Sequence, residues 1–115
     1  MSDSSLSIQK QESGGVTIVK VAGKLDAKTA PGLNNELKGL IAVGKVKLVI
    51  DMSGVSYIAS AGVGTLKANL VAAKKASGDL RLAGLTSEVR DVLDVLGFTK
   101  LFVVTPSVAD AMNGL

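Results

Sequence analysis

The sequence contains no cysteine, no histidine and no tryptophan in its 115 residues. Without cysteine there is no disulfide, no thiolate zinc site and no thiol nucleophile. Without histidine the chain lacks the commonest general base and the commonest transition-metal ligand. Phosphohistidine relay chemistry and a Ser-His-Asp hydrolase within this chain are excluded for the same reason. Aromatic residues make up 3% of the chain, as Tyr57, Phe98 and Phe102. That is too few for the stacking platforms of a single-strand nucleic-acid binder, and it leaves the core to Val, Leu, Ile and Ala. No apolar run approaches the length of a membrane span. Met1 to Lys10 carries no signal-peptide pattern. The expectation is a cytoplasmic protein with no membrane partner.

What the chain does have is one domain's worth of length and an apolar fraction of 47%. Folding at this size removes roughly two-thirds of the unfolded surface from water, enough for one core. The formal charge is +3 and the pI about 9.3. The lysines are scattered, with Lys74-Lys75 the longest basic run, so the charge does not point to a nucleic-acid partner. Asp26, Asp51, Asp79, Asp91, Asp94 and Asp110 form no pair suited to acid–base catalysis or to holding a metal. Asp91 and Asp94 share one helix face, which reads as solvated. No cofactor is implied.

Periodicity divides the chain into alternating strands and helices. Residues 1–6 are expected to be a flexible tail and 7–115 a single domain. Ser7–Gln11 and Val16–Val21 flank the turn signal Ser13-Gly14-Gly15 and predict a hairpin that Gly23 breaks. Ala30, Leu33, Leu37, Leu40 and Ile41 give a helical stripe over Thr29–Val43, with Thr29 as N-cap, Pro31 in the first turn and Gly44 as the stop. Val46–Met52 reads as a strand buried on both faces that leaves the sheet at Asp51-Met52-Ser53-Gly54. A helix over Ala61–Ala76 has Val63, Leu66, Leu70 and Ala73 as its inner stripe, and Gly78 as its stop. Leu80–Ala83 is a third sheet region. Thr86–Leu96 is an amphipathic helix, capped by Thr86 or Ser87, with Val89, Val92, Leu93 and Leu96 inward and Gly97 as its stop. Leu101–Val104 is a last strand. Thr105-Pro106 opens a short C-terminal helix, with Thr105 as cap. This order predicts an α/β fold: a mixed sheet of about four to five strands with amphipathic helices packed around it.

Two glycine-rich stretches invite a nucleotide reading and fail it. Gly39-Leu40-Ile41-Ala42-Val43-Gly44-Lys45-Val46 has Val where a phosphate loop needs the hydroxyl that holds magnesium, and a helix precedes it where a strand should. Gly62-Val63-Gly64 lacks the third glycine of a dinucleotide fingerprint, since position 67 is Lys67.

Asp51 to Leu66, DMSGVSYIASAGVGTL, is the informative segment. A buried strand ends, a loop follows, and Ser60 stands just before a helix. Read from local rules, Ser60 is the N-cap, accepting from the N–H of Gly62 or Val63. Gly62 and Gly64 each cost a helix up to about 1 kcal/mol relative to Ala. Rules of this kind are broken mostly where function or close approach requires it. The two glycines would leave the helix N-terminus bare, where a phosphate on Ser60 would be well placed.

This segment resembles the signature of the STAS domain, and more narrowly that of bacterial anti-sigma factor antagonists. The resemblance rests on Asp51-Met52-Ser53 with Val55, Tyr57, Ile58, Ser60, Gly62, Gly64 and Leu66. Gly23-Lys24-Leu25-Asp26-Ala27-Lys28-Thr29-Ala30 and the Leu93, Leu96, Gly97, Phe98 region support it, and together they span about residues 7–112. The resemblance implies partner switching. The unmodified protein would bind an anti-sigma factor that is also a serine kinase of the histidine-kinase-like ATPase type, so that a sigma factor is released. The kinase would phosphorylate Ser60, and a serine phosphatase would restore the binding form. By the same resemblance the partner contact comprises Asp26, Tyr57, Ile58, Ala59, Ser60, Ala61, Gly62, Val63 and Gly64, and the chain itself is not an enzyme. The family has Asp where this chain has Ala59, which removes a charge beside the acceptor. A second reading therefore stands beside the first: a constitutive STAS adaptor in a signalling complex, with Ser60 acting only as a helix cap.

Overall fold

The structure is a computed structural model and describes residues 6–115. The tail expected at the N-terminus lies outside the described residues except for Leu6, which packs half-buried against the core. The hairpin forms as expected. Strand β1 (Ser7–Ser13) runs antiparallel to β2 (Val16–Leu25), and Gly14 and Gly15 both take positive φ, 56° and 83°. A two-residue turn with positive φ at both positions matches the right-handed twist of the strands it joins.

Strand β2 does not stop at Gly23. Its pairing with β3 (Lys47–Ile58) shifts register between Lys20 and Ala22 and again between Gly23 and Lys24, and the strand continues to Leu25. Gly23 absorbs the irregularity with φ 113°, a conformation closed to most side chains. Nor does β3 leave the sheet at Asp51–Gly54. It runs on to Ile58, and Gly54 lies so close to β2 that a Cβ there would stand 2.8 Å from Cβ of Ala22. Stretches that read as a break and a loop are thus the paired ends of two neighbouring strands.

Helix α1 (Ala30–Ala42) buries Ala30, Leu33, Leu37 and Leu40, as its spacing requires. Thr29 occupies the cap position but its side chain caps nothing; its hydroxyl donates to the Lys24 carbonyl at 2.7 Å instead. Helix α2 (Ser60–Lys75) buries Val63, Leu66, Leu70 and Ala73. Strand β4 (Asp79–Ala83) leads to α3 (Ser87–Val95), capped by Thr86, whose hydroxyl accepts from Val89 N. Val89 and Leu93 are buried, but Leu96, expected inward, is 46% exposed because the helix ends before it.

The final strand is shorter than its sequence suggests. Phe98–Lys100 form a single 3₁₀ turn and β5 is confined to Val104–Thr105. Gly97, in the left-handed region at φ 77°, turns the chain into the 3₁₀ segment, and Phe98 and Phe102 both pack against the core. Helix α4 (Val108–Met112) is capped by Ser107, which accepts from Asp110 N at 3.1 Å. Thr105, the expected cap, donates to the Ser107 carbonyl at 2.7 Å, and Pro106 stands before the helix.

The five strands lie in chain order, β1-β2-β3-β4-β5, with every pair after the hairpin parallel. Helices α1, α2 and α3 share one face, over Val19, Val21, Leu48, Ile50, Leu80 and Leu82. Helix α4 lies on the other, over Val16, Val49 and Ala83. The mixed α/β sheet with helical cover is the expected fold. The C-terminal ends of β2 and β3, extended past the expected boundaries, carry the residues singled out above.

Candidate functional site

Ala59 joins β3 to α2. It is extended, with φ −108° and ψ 171°, and its N–H donates to the Leu25 carbonyl at 2.9 Å. Its own carbonyl accepts from Gly62 N at 2.9 Å and from Val63 N at 3.2 Å. These are the bonds of an N-cap, so Ala59 is the cap residue and Ser60 is the first residue of the helix. The expectation that Ser60 caps α2 is corrected accordingly. Ala59 has no side-chain acceptor, and Ser60 is one position too late to serve. Ser60 is exposed, as are Ala61 and Gly64.

Gly62 explains the geometry. A Cβ there would lie 2.6 Å from Leu25 Cγ and 3.0 Å from the Leu25 carbonyl oxygen. The first turn of α2 is therefore seated on the end of β2, and only glycine permits so close an approach. Gly64 meets nothing within 4 Å. Of the two glycines, one is set by packing and the other leaves open surface beside Ser60.

The Ala59–Leu25 hydrogen bond places the loop after β2 next to the start of α2. Asp26 opens that loop. Its Oδ1 accepts from the N–H of Lys28 at 3.0 Å and of Thr29 at 3.2 Å. Partial desolvation pushes the Asp26 carboxyl up, but these backbone hydrogen bonds, the Thr29 hydroxyl and the Lys28 charge outweigh it and hold the group below the ordinary carboxylate range. The carboxylate thus shapes its own turn.

The expected contact residues do not all face solvent. Tyr57 is 49% exposed, whereas Ile58 and Val63 are buried at 2% and 1%. Gly62 is buried and Asp26 and Ala59 are half-buried. Of the expected contact residues, Tyr57, Ser60, Ala61 and Gly64 are exposed and Asp26 and Ala59 half-buried, whereas Ile58, Gly62 and Val63 lie beneath the surface. One neighbour escaped sequence reasoning. Lys24 is the cross-strand partner of Tyr57 and is exposed. Continuing the strand through Gly23 would have found it.

No group of His, Cys, Asp or Glu among the described residues is placed to hold a metal. Among the described residues no helix is long and apolar enough to cross a membrane. A depression of about 420 Å³ lies on the α4 side of the sheet, lined by Gln9, Lys10, Gln11, Ile18, Lys20, Asp51 and Val108, none of them an expected contact residue.

A sheet in this order, with a serine opening the second helix at the ends of its central strands, defines a class. The STAS domain model matches residues 7–111, and the chain belongs to that family. Within it the chain is 27% identical over 110 residues to an anti-sigma-B factor antagonist of Listeria monocytogenes, covering 96% of this chain and 95% of the relative. An anti-sigma factor antagonist from Mycobacterium paratuberculosis superposes with a TM-score of 0.88 at 28% identity, covering 96% of this chain and 94% of that one. The fold is shared by the Bacillus cell fate determinant SpoIIAA at 16% identity. Its unphosphorylated form gives a TM-score of 0.81 over 93% of this chain and 94% of that one, and its phosphorylated form 0.73 over 93% and 97%.

Proposed function

We propose that this chain is an anti-sigma factor antagonist controlled by phosphorylation of Ser60. In its unmodified form it binds an anti-sigma factor that is also a serine kinase of the ATPase type, and a sigma factor is released. The kinase transfers phosphate to Ser60, binding is lost, and a serine phosphatase resets the cycle. The observation that carries this reading is the position of Ser60. It is an exposed hydroxyl on the first residue of α2, at the end of β3 and free of any capping duty. SpoIIAA, which shares the fold, is known in an unphosphorylated and a phosphorylated form.

The physics of the switch follows from that position. A phosphate adds about −1.5 to −2 charges. At a helix N-terminus each exposed charge gains about 0.3–1 kcal/mol from the dipole. The domain therefore stays folded and nearly unchanged. The partner contact is lost because a bulky dianion there must be desolvated, or meets acidic groups of the partner. Catalysis belongs to the kinase; this chain supplies the acceptor hydroxyl and the docking surface.

The test is a pull-down from the native host with wild-type and Ser60→Asp baits, read by quantitative mass spectrometry. Wild type is expected to capture a small ATPase-type serine kinase and the Asp variant to lose it. Capture of the same proteins by both baits would overturn the switch. It would favour a constitutive adaptor, the reading that the uncharged cap residue Ala59 supports. Phosphosite mapping of the cellular protein separates the two independently.

A further inference from the structure

The most anomalous surface of the molecule is the outer side of α3. Val89 and Leu93 satisfy its inward face, yet Val95 is 85% exposed and Leu96 46%. With Val92 and Asp91 they line a shallow depression of about 280 Å³.

The charges around it say what fits. Helix α3 carries Glu88, Asp91 and Asp94 against a single Arg90. The neighbouring α2 carries Lys67, Lys74 and Lys75 and no carboxylate. Lys67, Val71 and Lys74 stand at i, i+4 and i+7, on one face, and Val71 is 46% exposed. Lys67 Nζ reaches over the Phe98 ring just beyond α3, 5.7 Å from its centre, which brings the basic border of α2 to the C-terminal end of α3. One strip is apolar with an acidic border, the other apolar with a basic border.

We infer that this surface is a self-association site, at which a second copy of the chain docks about a two-fold axis with α2 of each copy against α3 of the other. A two-fold contact must be self-complementary, and both halves of the complementarity are present side by side on this chain. A different partner would have to bring its own matching pair of strips. The contact is small, so the dimer is weak and concentration-dependent. Val71 lies about 16 Å along α2 from Ser60 at 1.5 Å per residue. The proposed dimer thus leaves the phosphoacceptor end open and does not rest on the switch.

Sedimentation velocity of the full chain from micromolar to millimolar concentration tests this. The mean mass is expected to rise from the 11.7 kDa of one chain toward twice that value. Raising ionic strength from about 0.05 M to about 0.5 M should weaken association several-fold by screening the charged borders. Val95→Glu should weaken it about tenfold or more by placing charge at the apolar centre. Its thermal melt should match wild type, since the residue is 85% exposed. A wild-type chain that stays monomeric at millimolar concentration overturns the proposal, as does a Val95→Glu variant that associates as well as wild type. If wild type is monomeric while Val95→Glu no longer captures the anti-sigma factor, the patch belongs to that partner and self-association is wrong.

Discussion

Ala59 holds the backbone geometry of a helix cap without the side chain to use it. Ala59→Asp should therefore stabilise the protein by about 1 kcal/mol, read as a higher urea midpoint, because a carboxylate there can accept from the bare first-turn N–H groups. An unchanged midpoint would mean that the first turn is already satisfied by water. Gly62 gives the opposite expectation. Gly62→Ala forces a methyl to within 2.6 Å of Leu25 Cγ and should cost about 1–3 kcal/mol as an overpacking change. Asp26 makes the acid limb of stability informative. Its folded-state pKa is depressed, so its contribution is fully present above the unfolded-state value near pH 3.9 and is lost as pH falls through the lower folded value. Asp26→Asn should accordingly narrow the stability gap to wild type below about pH 4 and widen it at neutral pH, as read from denaturation midpoints across that range.

Among the elements, α2 is the one whose placement matters most, and α1 holds it. Asn69 is 1% exposed, and its side-chain N–H groups donate to Asn34 Oδ1 at 2.9 Å and to the Thr65 carbonyl at 2.8 Å. Asn69→Ala should cost about 1–3 kcal/mol, since a buried cross-helix bond is lost and a void replaces it. The sequence made helices α1, α2 and α3 legible because each carries a 3.6-residue apolar stripe and a stop signal. The strand ends were not legible. Gly23 and Gly54 look like breakers, and the facts that keep them in the sheet, a bulge and a close approach to Ala22, belong to the pairing and not to either segment alone. The same limit hid the true cap of α2. Whether Ala59 or Ser60 starts the helix depends on the hydrogen bond from Ala59 to Leu25, a contact between residues far apart in the chain. Ser60 is singled out by its setting between a buried strand and a glycine-rich helix start, and the motif it belongs to spans that junction.

For the molecule as a whole, a single cation, Arg81, adds to the apolar packing that holds the C-terminal helix to the sheet. Arg81 donates from Nη1 to the carbonyls of Ala111 at 3.2 Å and Asn113 at 2.6 Å, while its Nε donates to Asp79 Oδ2 at 3.1 Å. Arg81→Met should lower stability by about 1–3 kcal/mol. Hydrogen exchange should show α4 opening more readily than α1 or α2, whose contacts the change leaves intact.

The order of the strands also bears on how the chain comes to be folded. Since each new parallel strand lies beside the one before it, a chain leaving the ribosome can extend its sheet from one edge without rearranging what is already built. The last helix is the exception. Its apolar residues return to Val16 and Val49, laid down near the beginning and the middle. A nascent chain that stops short of Val108 should therefore display an uncovered sheet face to its neighbours, and the arrival of α4 is what ends its stickiness.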